Sequence, residues 1–177
     1  NHCTLKEDGL YNNKTGARVR ALGVVHVFGN MADMPRLLDI ARRYKLILIE
    51  DATEALGTRY TAGPLAGKAA GTMGDIGCYS FNGNKIMTTG AGGFVVSNHA
   101  DWAEHAKHLS TQAKADMLQF LHDEVGYNYR MTNVQACLGL AQLERLEGFV
   151  ETKKARYDQY KAALDGIHGL RILPFKE

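Results

Sequence analysis

The sequence lacks the residue groupings that mark several common classes of protein. Its three cysteines, Cys3, Cys78 and Cys137, are widely spaced and odd in number, whereas disulfide frameworks and zinc sites need closely spaced pairs. The seven histidines are also dispersed and form neither an HxxxH nor an HExxH pattern, so we expect no metal site. The pattern indicates reduced, mostly buried thiols and a cytoplasmic location.

Long apolar runs and dense basic stretches are missing as well. No apolar run approaches the roughly 20 residues that span a bilayer, and the first residues lack the charged-then-apolar layout of a signal peptide. With 21 Lys and Arg against 19 Asp and Glu, the formal net charge is only +2, and basic residues cluster only in short pairs such as Arg42-Arg43. We therefore expect neither a membrane nor a nucleic acid as partner.

What the sequence does contain is the pattern of an α/β protein with a mostly parallel sheet. A nearly continuous apolar run over residues 19–27 predicts a strand buried on both faces. Asp33 and Pro35 predict the start of a helix, and residues 45–51 form a second apolar run. A strand, a helix and a strand at this spacing make a βαβ unit, which implies a parallel sheet with a right-handed crossover.

The rest of the chain continues the alternation of strands and helices. The further predicted elements are an irregular segment or hairpin up to residue 18, strands over 75–81 and 93–97, and helices over 98–110, from Thr132, and over 147–164. An apolar stripe on the helix from Thr132 predicts packing against the sheet or against another subunit. Residues 170–173 look like the start of another strand, so we expect a piece of a longer enzyme.

Three groups of residues could carry chemistry. Asp51 follows a buried strand at the edge where ligands bind in open α/β sheets, and it could pair with a cationic ring nitrogen or simply cap a turn. Further on, a strand delivers Ser80, and a Gly/Asn turn then presents Lys85. Asn128 and Arg130 precede a helix, where they could meet an anion or belong only to the start of the helix.

Lys85 itself has two interpretations. Apolar walls would favour a neutral, nucleophilic amine, while Ser80 and the backbone N–H groups of the turn could hold a phosphate. A surface lysine in a turn is the simpler alternative. Residues 90–93, Gly-Ala-Gly-Gly, are not a Walker loop because no GK[ST] follows them.

Five segments of the chain together match the pattern of a known family. They are residues 49–57 (IEDATEALG), 74–85 (GDIGCYSFNGNK), 89–93 (TGAGG), 127–136 (YNYRMTNVQA) and 139–143 (GLAQL). In these segments the chain resembles the DegT/DnrJ/StrS sugar aminotransferases. Residues 80–85 (SFNGNK) and the further segment 111–114 (TQAK) are most similar to LegC-type enzymes, which aminate nucleotide-linked 4-keto-6-deoxy sugars.

The resemblance implies the large domain of a fold-type-I enzyme that depends on pyridoxal phosphate. Lys85 would be the Schiff-base lysine, and Asp51 would pair with the pyridine nitrogen and keep it protonated. Glu54 stands where many relatives carry Gln or His near the 3-hydroxyl of the cofactor. The Glu54 carboxylate and the 3-oxygen would both be acceptors there and would need a shared proton. Ser80 would bind the phosphate. Asn128 would reach the cofactor of the neighbouring subunit, which implies a homodimer with shared active sites.

The resemblance also implies substrates and domain limits. The substrates would be a nucleotide sugar and an amino donor, with glutamate expected, and Lys85 would act as nucleophile and as general acid/base. Residues 1–147 would be part of the cofactor-binding large domain, and residues 148–177 a linking helix and the start of a small C-terminal domain. Since an early phosphate-binding segment and most of the small domain fall outside the chain, we expect the chain alone to have little or no activity.

Two other classes compete with this interpretation. One is a catalytically incompetent piece that acts only as a structural or dimerisation module. The other is a dinucleotide-binding oxidoreductase, but Phe28-Gly-Asn-Met-Ala-Asp33 stands where its GxGxxG would lie. His26, in a segment that matches the family, is expected to be a structural histidine at the end of a strand.

Overall fold

The computed structural model describes residues 2–174 as an α/β structure with helices beside a sheet. Its strands are β1 (Cys3–Lys6), β2 (Gly9–Asn12), β3 (Arg18–Val19), β4 (Ala21–Val25), β5 (Ile47–Asp51), β6 (Ile76–Ser80), β7 (Gly93–Ser97), β8 (Lys114–Asp116) and β9 (Leu121–His122). Its α-helices are α1 (Met34–Tyr44), α2 (Ala100–Ser110), α3 (Asn133–Leu143) and α4 (Leu146–Leu164). The short β8–β9 hairpin was not predicted from the sequence.

The main sheet has the strand order β4-β5-β6-β7. Strands β4, β5 and β6 are parallel, and β7 is antiparallel to β6. Helix α1 connects β4 to β5, so the predicted βαβ unit and the mostly parallel sheet are confirmed. Parallel strands end at the same edge, and there Val25 is in register with Asp51, and Asp51 with Cys78, two residues before Ser80.

The apolar run over residues 19–27 is not one strand, contrary to the prediction. Strand β3 pairs with β2 in an antiparallel sheet that contains the predicted N-terminal hairpin, where Val19 is in register with Leu10. Strand β4 begins at Ala21 and pairs with β5. The run is divided because its two ends pair with different neighbours, a choice that hydrophobicity alone does not encode.

The core lies between α1 and one face of the sheet. Met34 and Ala41 of α1 and Leu48 of β5 are buried, and the half-buried Leu22 and Val24 of β4 pack against them. The prediction that the first strand is buried on both faces is wrong for this chain, since alternate residues of β4 are exposed. Successive strand residues point to opposite faces, and α1 covers only one of them.

Helix α3 leaves much of its apolar surface exposed. Val134 is 73% and Leu138 is 51% exposed on α3. Residues 170–173 are not a strand, contrary to the prediction, and no strand within residues 2–174 pairs with them; the Tyr157 hydroxyl donates to the Leu173 carbonyl at 2.8 Å. Among the described residues, no helix is long and apolar enough to cross a membrane.

The cysteines only partly follow the prediction. Cys3, Cys78 and Cys137 are all free thiols, as expected, but Cys3 and Cys137 are exposed and Cys78 is half-buried. The expectation of mostly buried thiols is therefore wrong. Cys137 is exposed because it lies on α3, whose apolar stripe has no partner within the described chain.

Candidate active site

Asp51 ends β5 at the carboxyl edge of the sheet. Its Oδ1 accepts a hydrogen bond from the N–H of Thr53 at 3.1 Å, which is the turn-capping contact considered from the sequence. No other side-chain hydrogen bond to this carboxylate occurs within residues 2–174. On the neighbouring strand, burial raises the pKa of the Cys78 thiol and the negative charge of Asp51 raises it further. Asp51 therefore keeps one carboxylate oxygen that no hydrogen bond within residues 2–174 uses.

Ser80 and Lys85 lie on the next strand end and its turn. The Lys85 N–H donates to the Asn82 carbonyl at 3.1 Å, which closes a turn over residues 82–85. The Ser80 hydroxyl oxygen accepts from the N–H of Asn82 at 3.3 Å. The expected arrangement, with a strand that delivers Ser80 and a Gly/Asn turn that presents Lys85, is the one in the structure.

The lysine amine points to a carboxylate. Lys85 Nζ lies 3.9 Å from Oε1 of Glu54, and the two side chains are 17% and 35% exposed. The prediction of purely apolar walls around Lys85 is therefore wrong, because the connection after β5 brings Glu54 across the edge of the sheet. Asp51, Glu54, Ser80 and Lys85 thus lie on two adjacent strand ends and the connections that follow them.

Glu54 also holds the connection after β4. Its Oε2 accepts the N–H of Phe28 at 2.8 Å. Phe28 has a left-handed backbone (φ 54°, ψ 27°) and an exposed side chain, and bulky residues rarely adopt this conformation. No local pattern in the sequence signals this contact, since the two residues are 26 positions apart.

Asn128 stands apart from the other predicted site residues. It is exposed and forms a β-bridge with Thr111. Within the described part of the chain, no hydrogen bond joins Asn128 to Asp51, Ser80 or Lys85. Immediately after this segment, Thr132 caps α3 and forms a capping box with Gln135, so the predicted helix start is confirmed and the role of Asn128 stays a prediction.

His26 and Glu50 form a fully buried pair beneath the edge. His26 Nε2 lies 3.0 Å from Oε2 of Glu50, and the N–H of Ala32 donates to His26 Nδ1 at 3.2 Å. The Ala32 contact assigns the ring proton to Nε2, which donates to Glu50. His26 therefore has a structural role, as expected.

Glu50 anchors the long connection that follows β5. It accepts the N–H groups of Gly71 at 2.8 Å and Met73 at 2.6 Å, and also that of Gly74. Burial alone would raise the pKa of Glu50, but hydrogen bonds from His26 and from these backbone groups outweigh it and hold the pKa below its usual value. Glu50 is thus a charged, fully hydrogen-bonded anchor under the site.

A separate polar cluster lies between α2 and the segment after β9. Within residues 2–174, the side-chain nitrogen and oxygen atoms of His108, Asp123 and Glu124 that could bind a metal ion lie within 4.8 Å of one another, and the two carboxylates are exposed. A hydrogen bond with His108, at 2.7 Å, holds the pKa of Asp123 below its usual range. These groups already pair with each other, and sequence spacing gave no sign of the cluster because its members come from two elements.

The fold and the edge residues together define a class of protein. A mostly parallel sheet that presents carboxylates, a hydroxyl and a lysine at its carboxyl edge is typical of the core of an α/β ligand-binding domain. The chain belongs to the DegT/DnrJ/EryC1/StrS aminotransferase family, whose model matches residues 10–177. The predicted family and fold class are thereby confirmed.

Individual relatives are similar over most of the chain. The pyridoxal phosphate-dependent aminotransferase EpsN of Bacillus subtilis (strain 168) is 40% identical over 161 residues, which cover 91% of this chain and 40% of EpsN. GDP-perosamine synthase of Escherichia coli O157:H7 is 41% identical over 150 residues, covering 85% of this chain and 40% of that protein. The crystal structure of the aminotransferase TlmJ from Streptoalloteichus hindustanus superposes with a TM-score of 0.83 at 31% identity, covering 91% of this chain and 43% of TlmJ. The chain thus spans about 40% of the length of the curated relatives it matches.

Proposed function

We propose that this chain is the cofactor-binding part of a pyridoxal-phosphate-dependent aminotransferase that acts on a nucleotide-linked 4-keto-6-deoxy sugar. The observation that carries the proposal is the position of Lys85, on a turn at the carboxyl edge, with its amine 3.9 Å from Glu54 and with Asp51 and Ser80 on the two adjacent strand ends. Glutamate is the proposed amino donor, and its amino group replaces the ketone oxygen of the sugar. The sugar class is supported by relatives such as GDP-perosamine synthase.

The donor set at the edge fits pyridoxal phosphate. The oxygen of Asp51 that no described hydrogen bond uses can hold a protonated ring nitrogen, and the Ser80 hydroxyl and the N–H groups of the turn can hold the phosphate. Glu54, which lies beside Lys85, is the proposed neighbour of the cofactor's 3-hydroxyl. When bound, pyridoxal phosphate supplies an aldehyde for the amine of Lys85 and a ring that accepts electrons from the carbon being deprotonated.

Lys85 is the proposed acid and base of the reaction. Its Nζ takes the proton from the α-carbon of the amino donor, and in the second half of the reaction it returns a proton to the sugar carbon that receives the amine. Asp51 would pair with the ring nitrogen of the cofactor and keep it protonated. Glu54 holds the side chain of Lys85 at the edge of the sheet and ties it to the Phe28 turn.

We further propose a homodimer and a division into domains. Asn128 lies on an exposed segment next to α3, whose apolar residues Val134 and Leu138 are exposed, so this face suits a second subunit that receives Asn128. Residues 1–147 belong to the large domain, and residues 148–177 lead into the small one. Helix α4 begins at Leu146, which puts the proposed limit in its first turn. The cytoplasmic location stays a prediction.

A purely structural module is the weaker alternative. Such a module has no physical need for a lysine turn beside Glu54 and the strand-end Asp51, because exposed helices alone suffice for assembly. The alternative predicts that the full-length protein has no transaminase activity and that substitutions at Lys85 change nothing but surface charge.

Turnover by the full-length protein that carries this chain tests the proposal. With pyridoxal phosphate, glutamate and a nucleotide-linked 4-keto-6-deoxy sugar, mass spectrometry should detect the amino sugar together with 2-oxoglutarate. Lys85→Ala should lower the rate by about 1,000-fold or more, since it removes the nucleophile and the base together. Lys68→Ala, which removes an exposed lysine that is not one of the predicted site residues, should keep the wild-type rate. Equal rates in both variants would contradict the proposal.

A further inference from the structure

Helix α3 forms hydrogen bonds with the backbone of Thr88, three residues after Lys85. The N–H of Thr88 donates to Oε1 of Gln142 at 3.0 Å, and Nε2 of Gln142 donates to the carbonyl of Thr88 at 2.6 Å. One carboxamide thus satisfies both backbone groups of a residue that is 54 positions away. Both side chains are half-buried, so water competes only weakly for these bonds.

Thr88 lies in what we call the lysine loop, residues 81–92. At its base, Phe81 and Gly92 are joined by an N–H···O bond of 2.9 Å. The Phe81 carbonyl accepts two further hydrogen bonds, one from the N–H of Thr89 at 3.0 Å and one from the hydroxyl of Thr88 at 2.9 Å. Between Lys85 and Thr88 the chain has no helix or strand, so the backbone position of Lys85 depends on how these few bonds hold the loop.

Gly139 allows α3 to come close enough to the lysine loop for Gln142 to form these two hydrogen bonds. A Cβ at Gly139 would lie 3.0 Å from Cγ2 of Thr89 and 3.9 Å from Cε of Met87. Gly139 and Gln142 are three residues apart, and therefore share one face of α3. Met87 and Thr89 are buried under this face, whereas residues 82–84 at the tip of the loop are exposed.

We propose that Gln142 is a positioning residue for Lys85. By holding Thr88 from α3, it fixes the lysine loop relative to the helix that begins directly after the segment of Asn128. The consequence for catalysis rests on the proposed function, because only then is Lys85 the reactive amine. The two hydrogen bonds between Gln142 and Thr88 do not depend on any cofactor, so their effect on the loop can be measured separately.

The test compares three variants of the full-length protein. Gln142→Met removes both hydrogen bonds and keeps a side chain of similar size. Gly139→Ala keeps the Gln142 side chain but pushes α3 away from Thr89. It should therefore weaken the same two hydrogen bonds by increasing the distance between α3 and the loop. Gln159→Met is the matched control, because Gln159 is a glutamine of α4 whose side chain, among residues 2–174, accepts a hydrogen bond only from the exposed Arg156.

The first readout is hydrogen–deuterium exchange. In Gln142→Met we expect amides of residues 81–92 to exchange about tenfold faster than in the wild type, the effect of losing two neutral hydrogen bonds. Exchange in β5 and β6 should not change, and Gln159→Met should match the wild type. Unchanged exchange in the lysine loop would overturn the proposal, and so would faster exchange spread evenly over the chain, which indicates general loss of packing.

The second readout concerns the lysine itself. The dissociation constant for pyridoxal phosphate should rise about tenfold in Gln142→Met, and kcat should fall while the KM for glutamate changes less than about twofold. Wild-type affinity and kcat in this variant would overturn the positioning role. If the wild type itself forms no bond to the cofactor at Lys85, the proposed function fails, and the exchange result alone then decides whether Gln142 holds the loop.

Discussion

At the scale of single residues, two adjacent carboxylates at the end of β5 serve different purposes. Strand alternation sends Glu50 and Asp51 to opposite sides: Glu50 is fully buried and bonded to His26 and to the backbone of residues 71–74, whereas Asp51 is half-buried at the edge of the sheet. The buried carboxylate stabilises the connection on which the site rests. The partly accessible one remains available to a ligand.

Replacing Glu50 tests this division. Because the pKa of Glu50 is held below its usual value in the folded protein, only the unfolded chain takes up a proton near the ordinary pKa of 4.5. This carboxylate therefore contributes stability above that pH and loses it as the pH falls further. Glu50→Gln should cost about 2–3 kcal/mol at pH 6, since an amide NH2 would face N–H donors, and should make the stability less dependent on pH.

Urea unfolding at pH 6 and pH 4 measures both effects. Glu151→Gln is the control, because Glu151 is an exposed glutamate on α4, and it should follow the wild type at both pH values. An equal loss of stability between pH 6 and pH 4 in Glu50→Gln and in the wild type would show that Glu50 does not carry this part of the pH dependence.

At the scale of elements, local patterns predicted most of the fold. Apolar runs and the Asp33 cap, whose carboxylate accepts the N–H of Arg36 at 3.3 Å, located β5, α1 and the βαβ unit. The two strand predictions that were wrong depend on neighbouring strands. The run over residues 19–27 divides between two sheets, and residues 170–173 have no strand to pair with in the described part of the chain. Hydrophobic periodicity reports burial, but it does not report which strand is adjacent.

Strand β6 depends on a close backbone approach that only glycine permits. A Cβ on Gly77 would collide with the carbonyl oxygen of Gly71, which belongs to the connection anchored by Glu50. Gly77→Ala should therefore lower the free energy of unfolding by about 3 kcal/mol or more. Gly23→Ala is a matched strand control, since nothing lies within 4 Å of a Cβ there, and calorimetry should find it close to the wild type. Similar melting temperatures for the two variants would refute the close approach.

At the scale of the whole molecule, the predicted site residues fall into two places. Asp51, Glu54, Ser80 and Lys85 lie at one edge of the sheet or in the connections just after it because parallel strands end there, which the order of strands and helices in the sequence implies. Asn128 lies elsewhere, on an exposed segment before α3. The contact of Gln142 with Thr88 spans 54 residues; its only sign in the sequence is a polar residue within an apolar helix, which does not identify the partner.

The exposed face of α3 predicts the assembly state. Leu138→Lys should convert the proposed dimer into a monomer, because it puts a charge where the apolar face would be buried against the partner. Leu5→Lys changes a comparably exposed leucine, 46% against 51%, in the N-terminal hairpin, and should leave the dimer intact. Sedimentation velocity distinguishes the two. A monomeric wild type, or a dimeric Leu138→Lys, would contradict this use of α3.

The most direct test of the central claim is to locate the lysine that bonds to pyridoxal phosphate. The full-length protein is incubated with the cofactor, reduced with borohydride, digested and mapped by mass spectrometry. The account predicts one reduced phosphopyridoxyl group on Lys85, absent from Lys85→Ala and retained in Lys68→Ala. Label spread over surface lysines, in equal amount in Lys85→Ala and the wild type, would contradict it.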